Sequence, residues 1–174
     1  RQAALRRLGL AANSALVKRN SSDQVDRAYA GLRAIVYRAV VGRFGRLWSW
    51  DGDGAVAAFL FGQKERSAVL AGMEILNELF FYNRLANPLD TPLRVRIAAH
   101  AGPIRYRDNV MELLKNDTIK DVVQLESRAT PADTLSASTN LFMAIDRVIQ
   151  ESFGPECQTG AGKVRQYAVS LERV

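Results

Sequence analysis

Hydrophobic positions along the chain follow the spacing of helices in some segments and that of strands in others. From Ser22 onward, apolar residues recur every three or four positions, which predicts a long helix that Gly42 and Gly45 stop. Ser22 or Asp23 is placed to cap its start. Further helices are predicted over 64–86, 117–129 and 139–151.

Short β-prone runs lie between these helices. Segment 2–11 is predicted to be a first strand, although its Ala and Leu content leaves a helical start open. An Asp-Gly-Asp-Gly sequence typical of a hairpin turn places Asp51 and Asp53 at the tip between two strands. The other predicted strands cover 46–50, 55–61, 93–101, 133–137 and 164–171.

The order of these elements is β-α-β-β-α-β with additions, which is the ferredoxin-like pattern. The predicted fold class is therefore α+β, with helices packed mainly on one face of a sheet and additional elements towards the C-terminal end. A chain of 174 residues that is 48% hydrophobic can bury one sizeable core, so a single domain over 1–174 is expected.

Composition restricts the class of protein. The net charge of +6 permits attraction to phosphates, but the basic residues are scattered and no aromatic-studded basic platform argues for nucleic-acid binding. Cys157 is the only cysteine, which excludes a disulfide or a structural zinc site within the chain. No run of apolar residues is long enough for a membrane span and no signal-like segment occurs, so a cytoplasmic protein is predicted.

The segment from Trp48 to Gly54 contains the strongest candidates for a metal- or phosphate-binding site. Two carboxylates at a tight turn with flanking glycines suit a divalent cation and a phosphate, although solvated turns have the same composition. Alternation predicts that Trp48 and Trp50 share one face of their strand and that Ser49 lies on the other. His100, the only histidine, has no partner nucleophile in a recognisable motif, which disfavours general-base catalysis.

Several motifs in order resemble those of the class III nucleotidyl cyclase catalytic domains. Gly52-Asp53-Gly54 leads into a strand that ends near Phe59, and a strand of the type Arg-Ile-Gly-Ile-His-x-Gly-Pro follows at 96–103. The helix that starts near Asn116, a strand that ends at Ser138 and a closing strand at 165–169 extend the likeness over nearly the whole chain.

This resemblance implies a metal site with one ligand missing. In the family, two carboxylates hold two Mg²⁺ or Mn²⁺ ions, which polarise the ribose 3'-hydroxyl and the triphosphate. Asp53 matches the second carboxylate, whereas the spacing of the family puts Gly9 at the first, where no side chain can ligate a metal. Asp51 is a nearby alternative oxygen ligand, so Asp53 and Asp51 are the candidate metal residues.

The resemblance also marks altered nucleotide contacts. Lys120 stands where the family has the Asn that stabilises the transition state. Gln124 stands where the family has a phosphate-binding Arg, and its amide cannot replace the fork of a guanidinium. Arg128, one helical turn further, or Lys120 itself could reach a phosphate instead. No catalytic residue is assigned among these three candidates. The candidate nucleotide-binding residues are Ser49, at the base-selecting position, Trp50, as a stacking surface, Gly52 and Lys120.

These changes favour a catalytically degenerate cyclase-like module that binds a nucleotide, dimerises or regulates a partner. The resemblance implies a homodimer or a second cyclase-like domain as the partner, because the family works as head-to-tail dimers with sites at the seam. The alternative is an active, divergent cyclase that makes a 3',5'-cyclic nucleotide and diphosphate, of the kind used in bacterial defence signalling. Nucleic-acid binding ranks last, since it rests on charge alone.

Overall fold

A computed structural model describes residues 2–52, 54–105 and 109–169, whose strands form one seven-stranded sheet. The strands are β1 (Gln2–Leu10), β2 (Arg46–Asp51), β3 (Gly54–Phe59), β4 (Val95–Pro103), β5 (Thr134–Ser138), β6 (Cys157–Thr159) and β7 (Gly162–Ala168). The helices are α1 (Asn13–Arg19), α2 (Ser22–Val41), α3 (Lys64–Leu85), α4 (Val110–Leu113), α5 (Asp117–Ala129), α6 (Thr139–Met143) and α7 (Arg147–Gln150).

The sheet has the order β2-β3-β1-β4-β5-β7-β6, and only the β4–β5 pair is parallel. Its first four strands, with α2 and α3 as connections, have the ferredoxin-like order, which confirms the predicted α+β class. The segment predicted over 2–11 is a strand and not a helix, since β1 pairs with both β3 and β4.

The helices divide between the two faces of the sheet. The two long helices, α2 and α3, pack together on one face, while the shorter α5 packs on the other against β1 and β4. Alternation along β1 supplies both cores, because Ala4 and Leu8 face α2 and α3 whereas Ala3 and Leu5 face α5. No helix in the described ranges is long and apolar enough to cross a bilayer.

The structure corrects two helix predictions. Ser21, not Ser22 or Asp23, caps α2, because its hydroxyl accepts from the Gln24 amide and the Gln24 side chain accepts from the Ser21 amide. The helix predicted over 139–151 is broken into α6 and α7. Asp146 is extended there, and its carbonyl starts the second helix by accepting from two following amides.

The prediction that Trp48 and Trp50 share a face is wrong. The register of β2 with β3 shifts between Leu47 and Ser49, so Trp48 is an extra residue in the strand. Trp48 consequently packs against the core under α5, whereas Trp50 packs against the core under α2 and α3. The bulge thus separates the two indoles and leaves Ser49 on the α5 side.

Arg6, at the centre of β1, is buried on the α3 side with only 1% of its surface exposed. Burial lowers the pKa of its guanidinium to about 9, against a smaller opposing influence from the Glu74 carboxylate. Its Nη1 atom has no hydrogen-bond partner among the described residues. A buried charge with so little compensation destabilises the folded state.

We therefore expect Arg6→Met to raise the free energy of unfolding by about 1–4 kcal/mol, because it keeps the packed stem and removes the charge. The folded pKa lies below the unfolded value, so wild-type stability should also rise as pH increases above about 9, and the variant should lack that rise. Denaturant titration would measure both effects. Arg43→Met, which removes an accessible partner of Glu74, is the charge-matched control and should not stabilise. An Arg6→Met protein less stable than wild type would contradict the expectation.

Candidate functional site

A cavity of about 380 Å³ lies between β1, the β2–β3 hairpin and α5. Four of the candidate residues line it together: Ser49 and Asp51 from the hairpin, and Lys120 and Gln124 from α5. Its remaining described lining consists of Arg7 and the apolar side chains of Val56, Leu114, Ile119 and Val123. The fold thus brings together, in one cavity, four of the residues that the resemblance singled out from distant parts of the sequence.

The other candidates do not line this cavity. Trp50 lies on the opposite face of the sheet, where the Arg33 guanidinium carbon is 5.3 Å from its ring centroid. Gly52 is exposed at the hairpin turn with φ of +50°, a conformation that suits glycine. Arg128 is exposed near the end of α5, away from the described lining. Asp53 lies outside the described residues.

Helix α5 is held over the cavity by its first turn. Asn116 caps the helix by accepting from the Thr118 amide, and the Thr118 hydroxyl donates to the Pro103 carbonyl at 2.6 Å. The absence of a side chain at Gly102 permits this approach, since a Cβ there would lie 2.6 Å from Thr118 Cγ2. Lys120 follows on the exposed side of the same turn and pairs with Asp117, with Nζ and Oδ1 3.3 Å apart.

Gly9 occupies the position that the resemblance assigns to the missing carboxylate. Its neighbours across the sheet are Gly54 in β3, at the end of the hairpin, and Arg96 in β4. The space where its side chain would be holds the carboxylate of Glu126 from α5, because a Cβ on Gly9 would lie 2.6 Å from Glu126 Oε1. An acidic group therefore reaches this place from the helix and not from the strand.

Glu126 is buried, with 5% of its side chain exposed, and is bracketed by two guanidinium groups. Arg96 Nε lies 2.7 Å from Oε1, and Arg7 Nε lies 3.9 Å from Oε2. The Arg7 guanidinium covers Gly54, where a Cβ would overlap it. Sequence reasoning missed this cluster, although a charged residue at 126 among the apolar positions Val122, Leu125 and Ala129 was a signal of a buried ion pair.

The described residues do not fit a two-metal centre. They contain no group of three or more His, Cys, Asp or Glu side chains that could hold a metal ion. The carboxylate nearest to Gly9 is already neutralised by Arg7 and Arg96, and a guanidinium beside Gly54 repels a second cation. The predicted use of Mg²⁺ or Mn²⁺ thus depends on Asp51, which lines the cavity, and on Asp53.

A second, smaller cavity of about 150 Å³ lies beyond Gln124 and is lined by His100, Asp121 and Ser138. His100 Nδ1 is 2.9 Å from Ser138 Oγ, and His100 Nε2 is 3.9 Å from Asp121 Oδ2. The Ser138 hydroxyl donates to Asn140 Oδ1 at 2.5 Å, so His100 supplies the proton in its own bond to Ser138. This pattern orients Ser138 towards Asn140 and does not activate it as a nucleophile.

Burial lowers the pKa of His100 below 6.5, with a smaller opposing effect of Asp121. Because the folded pKa is the lower one, the stability from neutral His100 is present above pH 6.5 and is lost as pH falls through that value. We expect His100→Gln to flatten this part of the pH dependence. Urea titrations of both proteins between pH 5 and 8 would measure it. Identical slopes for the two proteins would contradict the assignment.

The fit of Glu126 against Gly9 can be tested through stability. We expect Gly9→Ala to lower the free energy of unfolding by about 1–3 kcal/mol, because the new methyl group meets a fixed carboxylate. Gly160→Ala is the matched control, since a Cβ there has nothing within 4 Å. Chemical denaturation of both variants gives the comparison, and equal changes would show that Glu126 does not occupy this space.

Solved structures of nucleotide cyclase domains share this fold. An adenylate/guanylate cyclase/hydrolase from Silicibacter pomeroyi is 18% identical, with a TM-score of 0.78 and 98% of each chain covered. The guanylate cyclase domain of RhGC from Catenaria anguillulae, solved with GTP, is 14% identical, with a TM-score of 0.74 and coverage of 95% of this chain and 94% of that one.

A non-canonical dimeric guanylyl cyclase domain of the RhoGC fusion protein from Blastocladiella emersonii is 11% identical, with a TM-score of 0.75 and coverage of 95% and 92%. No protein-family model and no curated protein matches the sequence. The likeness is therefore one of structure, and it confirms the resemblance that the motifs indicated. The chain has the fold of the class III adenylate and guanylate cyclase catalytic domains.

Proposed function

We propose that this chain is a catalytically degenerate cyclase-like domain that binds a nucleotide and regulates a partner. The observation that carries the proposal is the Gly9 position, where a glycine is overlaid by a carboxylate that two arginines already neutralise. An aspartate there would be a metal ligand, whereas the Glu126 carboxylate is committed to its ion pairs. Loss of that ligand removes one of the two groups on which two-metal phosphoryl transfer depends.

The α5 side of the cavity supports the same proposal. Gln124 cannot form the bidentate, charged contact that an arginine makes with a phosphate. Lys120 offers a point charge on a flexible stem, and in this structure the stem directs it to Asp117. Electrostatic stabilisation of a transition state needs donors that are already in place, so neither side chain is a sufficient substitute.

We further propose that the partner is a second copy of this chain or another cyclase-like domain. One solved relative is a dimer and another holds GTP, and a degenerate domain can keep a dimer interface after its chemistry is lost. The proposal treats 1–174 as one domain acting in the cytoplasm, as the sequence predicts.

An active, divergent cyclase is the second candidate. It is favoured by Asp51 and Lys120, which line one cavity and provide an oxygen ligand and a cation on opposite walls. In that case Asp51 and Asp53 would hold the metal ions, and Lys120 or Arg128 would contact the phosphates. The two candidates differ in a single measurable property, the formation of cyclic product.

We expect no 3',5'-cyclic nucleotide when the purified protein is incubated with each of the four nucleoside triphosphates and either Mg²⁺ or Mn²⁺. The reason is the missing strand carboxylate at Gly9. Mass spectrometry of the products makes the measurement, with Asp53→Ala and Asp51→Ala as control variants. Cyclic product that vanishes in either variant would overturn the proposal and establish the active cyclase.

A further inference from the structure

The guanidinium of Arg7 lies beside the end of the β2–β3 hairpin, where the resemblance puts a metal-ligating carboxylate. It covers Gly54, the residue that follows the hairpin tip, and it lines the same cavity as Ser49 and Lys120. We propose that Arg7 takes the place of the divalent cation, so that the cavity binds the phosphate groups of a nucleotide without a metal. This inference rests on the proposed function and adds the way in which the ligand is held.

Two residues of the cavity lining each have a buried polar atom without a hydrogen-bond partner among the described residues. The atoms are Arg7 Nε and Ser49 Oγ. The 3.9 Å distance from Arg7 Nε to Glu126 Oε2 is an ion pair but too long for a hydrogen bond. Because a buried donor without a partner is costly, the two atoms are suited to phosphate oxygens that enter the cavity.

The charges around the cavity favour an anion over a second cation. Arg7 and Lys120 are the cationic side chains of the described lining, although Lys120 also pairs with Asp117 outside it. Asp51 is the only carboxylate of that lining. Arg96 balances Glu126 from the β4 side at 2.7 Å and leaves part of the Arg7 charge for a ligand. The Arg7 guanidinium has five donors in a rigid fork, so its charge can neutralise phosphate as a bound metal does.

Calorimetric titration would test the proposal with inorganic pyrophosphate and with each nucleoside triphosphate as probes. Each titration is done once in EDTA and once with Mg²⁺. We expect at least one probe to bind with a Kd that changes by less than about threefold between the two conditions, a difference below 1 kcal/mol. Binding of pyrophosphate alone would identify free polyphosphate as the ligand, and tighter binding of a triphosphate would identify a nucleotide.

Arg7→Met should weaken the binding about 10- to 100-fold, the usual effect of losing a charged hydrogen bond. Arg94→Met is the matched control, because Arg94 also forms an ion pair, with Asp133 at 2.7 Å, but neither lines the cavity nor contacts Glu126. We expect it to bind within about threefold of wild type. If Arg7→Met fails to fold, Arg7→Met/Glu126→Gln removes the buried carboxylate charge as well and should show the same loss.

Glu126→Gln separates this proposal from metal binding by the direction of its effect. Removing the negative charge beside Arg7 should tighten phosphate binding in EDTA, whereas loss of a metal ligand would weaken binding in Mg²⁺. Binding only with Mg²⁺, no binding of any probe, or an Arg7→Met protein that binds like wild type would overturn the proposal. None of these outcomes bears on the proposed lack of cyclase activity, which the product assay decides separately.

Discussion

The buried ion pair network of Glu126 with Arg7 and Arg96 is the constraint on which the site depends. A carboxylate at 5% exposure is tolerated in a helix–sheet interface only with nearby cations, and here strands β1 and β4 each provide one. The network fixes α5 against the middle of the sheet and fills the space above Gly9. It also holds the Arg7 guanidinium over Gly54, and thereby sets the charge of the cavity.

Strand β1 has two adjacent arginines that point to opposite faces of the sheet, and each lies under a helix. Arg6 is buried on the side of α3, where little offsets the cost of burying its charge. Arg7 lines a cavity and pairs with the Glu126 carboxylate. The central strand thus carries charge into both cores. On the α5 side the Arg7 charge pairs with the Glu126 carboxylate and lines the cavity, whereas on the α3 side the Arg6 Nη1 atom has no hydrogen-bond partner among the described residues.

The fold persists in proteins that share only 11–18% identity with this chain. The pattern of buried positions and a few close contacts are enough to specify the fold. Two such contacts are those of Thr118 with Gly102 and of Glu126 with Gly9, where a side chain packs directly on the sheet. Catalysis in the family depends on a few side chains, and the resemblance puts other residues at three of those positions, Gly9, Lys120 and Gln124. A fold can in this way be kept while the side chains at its site change.

The sequence alone determined the order of the longer elements, because the periodicity of α2, α3 and β4 reflects burial that each segment needs wherever it packs. The short elements α1, α4 and β6 were not predicted. It also located the hairpin and the cavity residues of α5 through local motifs. Only the tertiary structure showed the bulge that turns Trp48 away from Trp50 and the carboxylate that replaces a side chain at Gly9. The bulge depends on the register of β2 with β3. The carboxylate at Gly9 depends on a contact between residues over a hundred positions apart, and no local pattern encodes either feature.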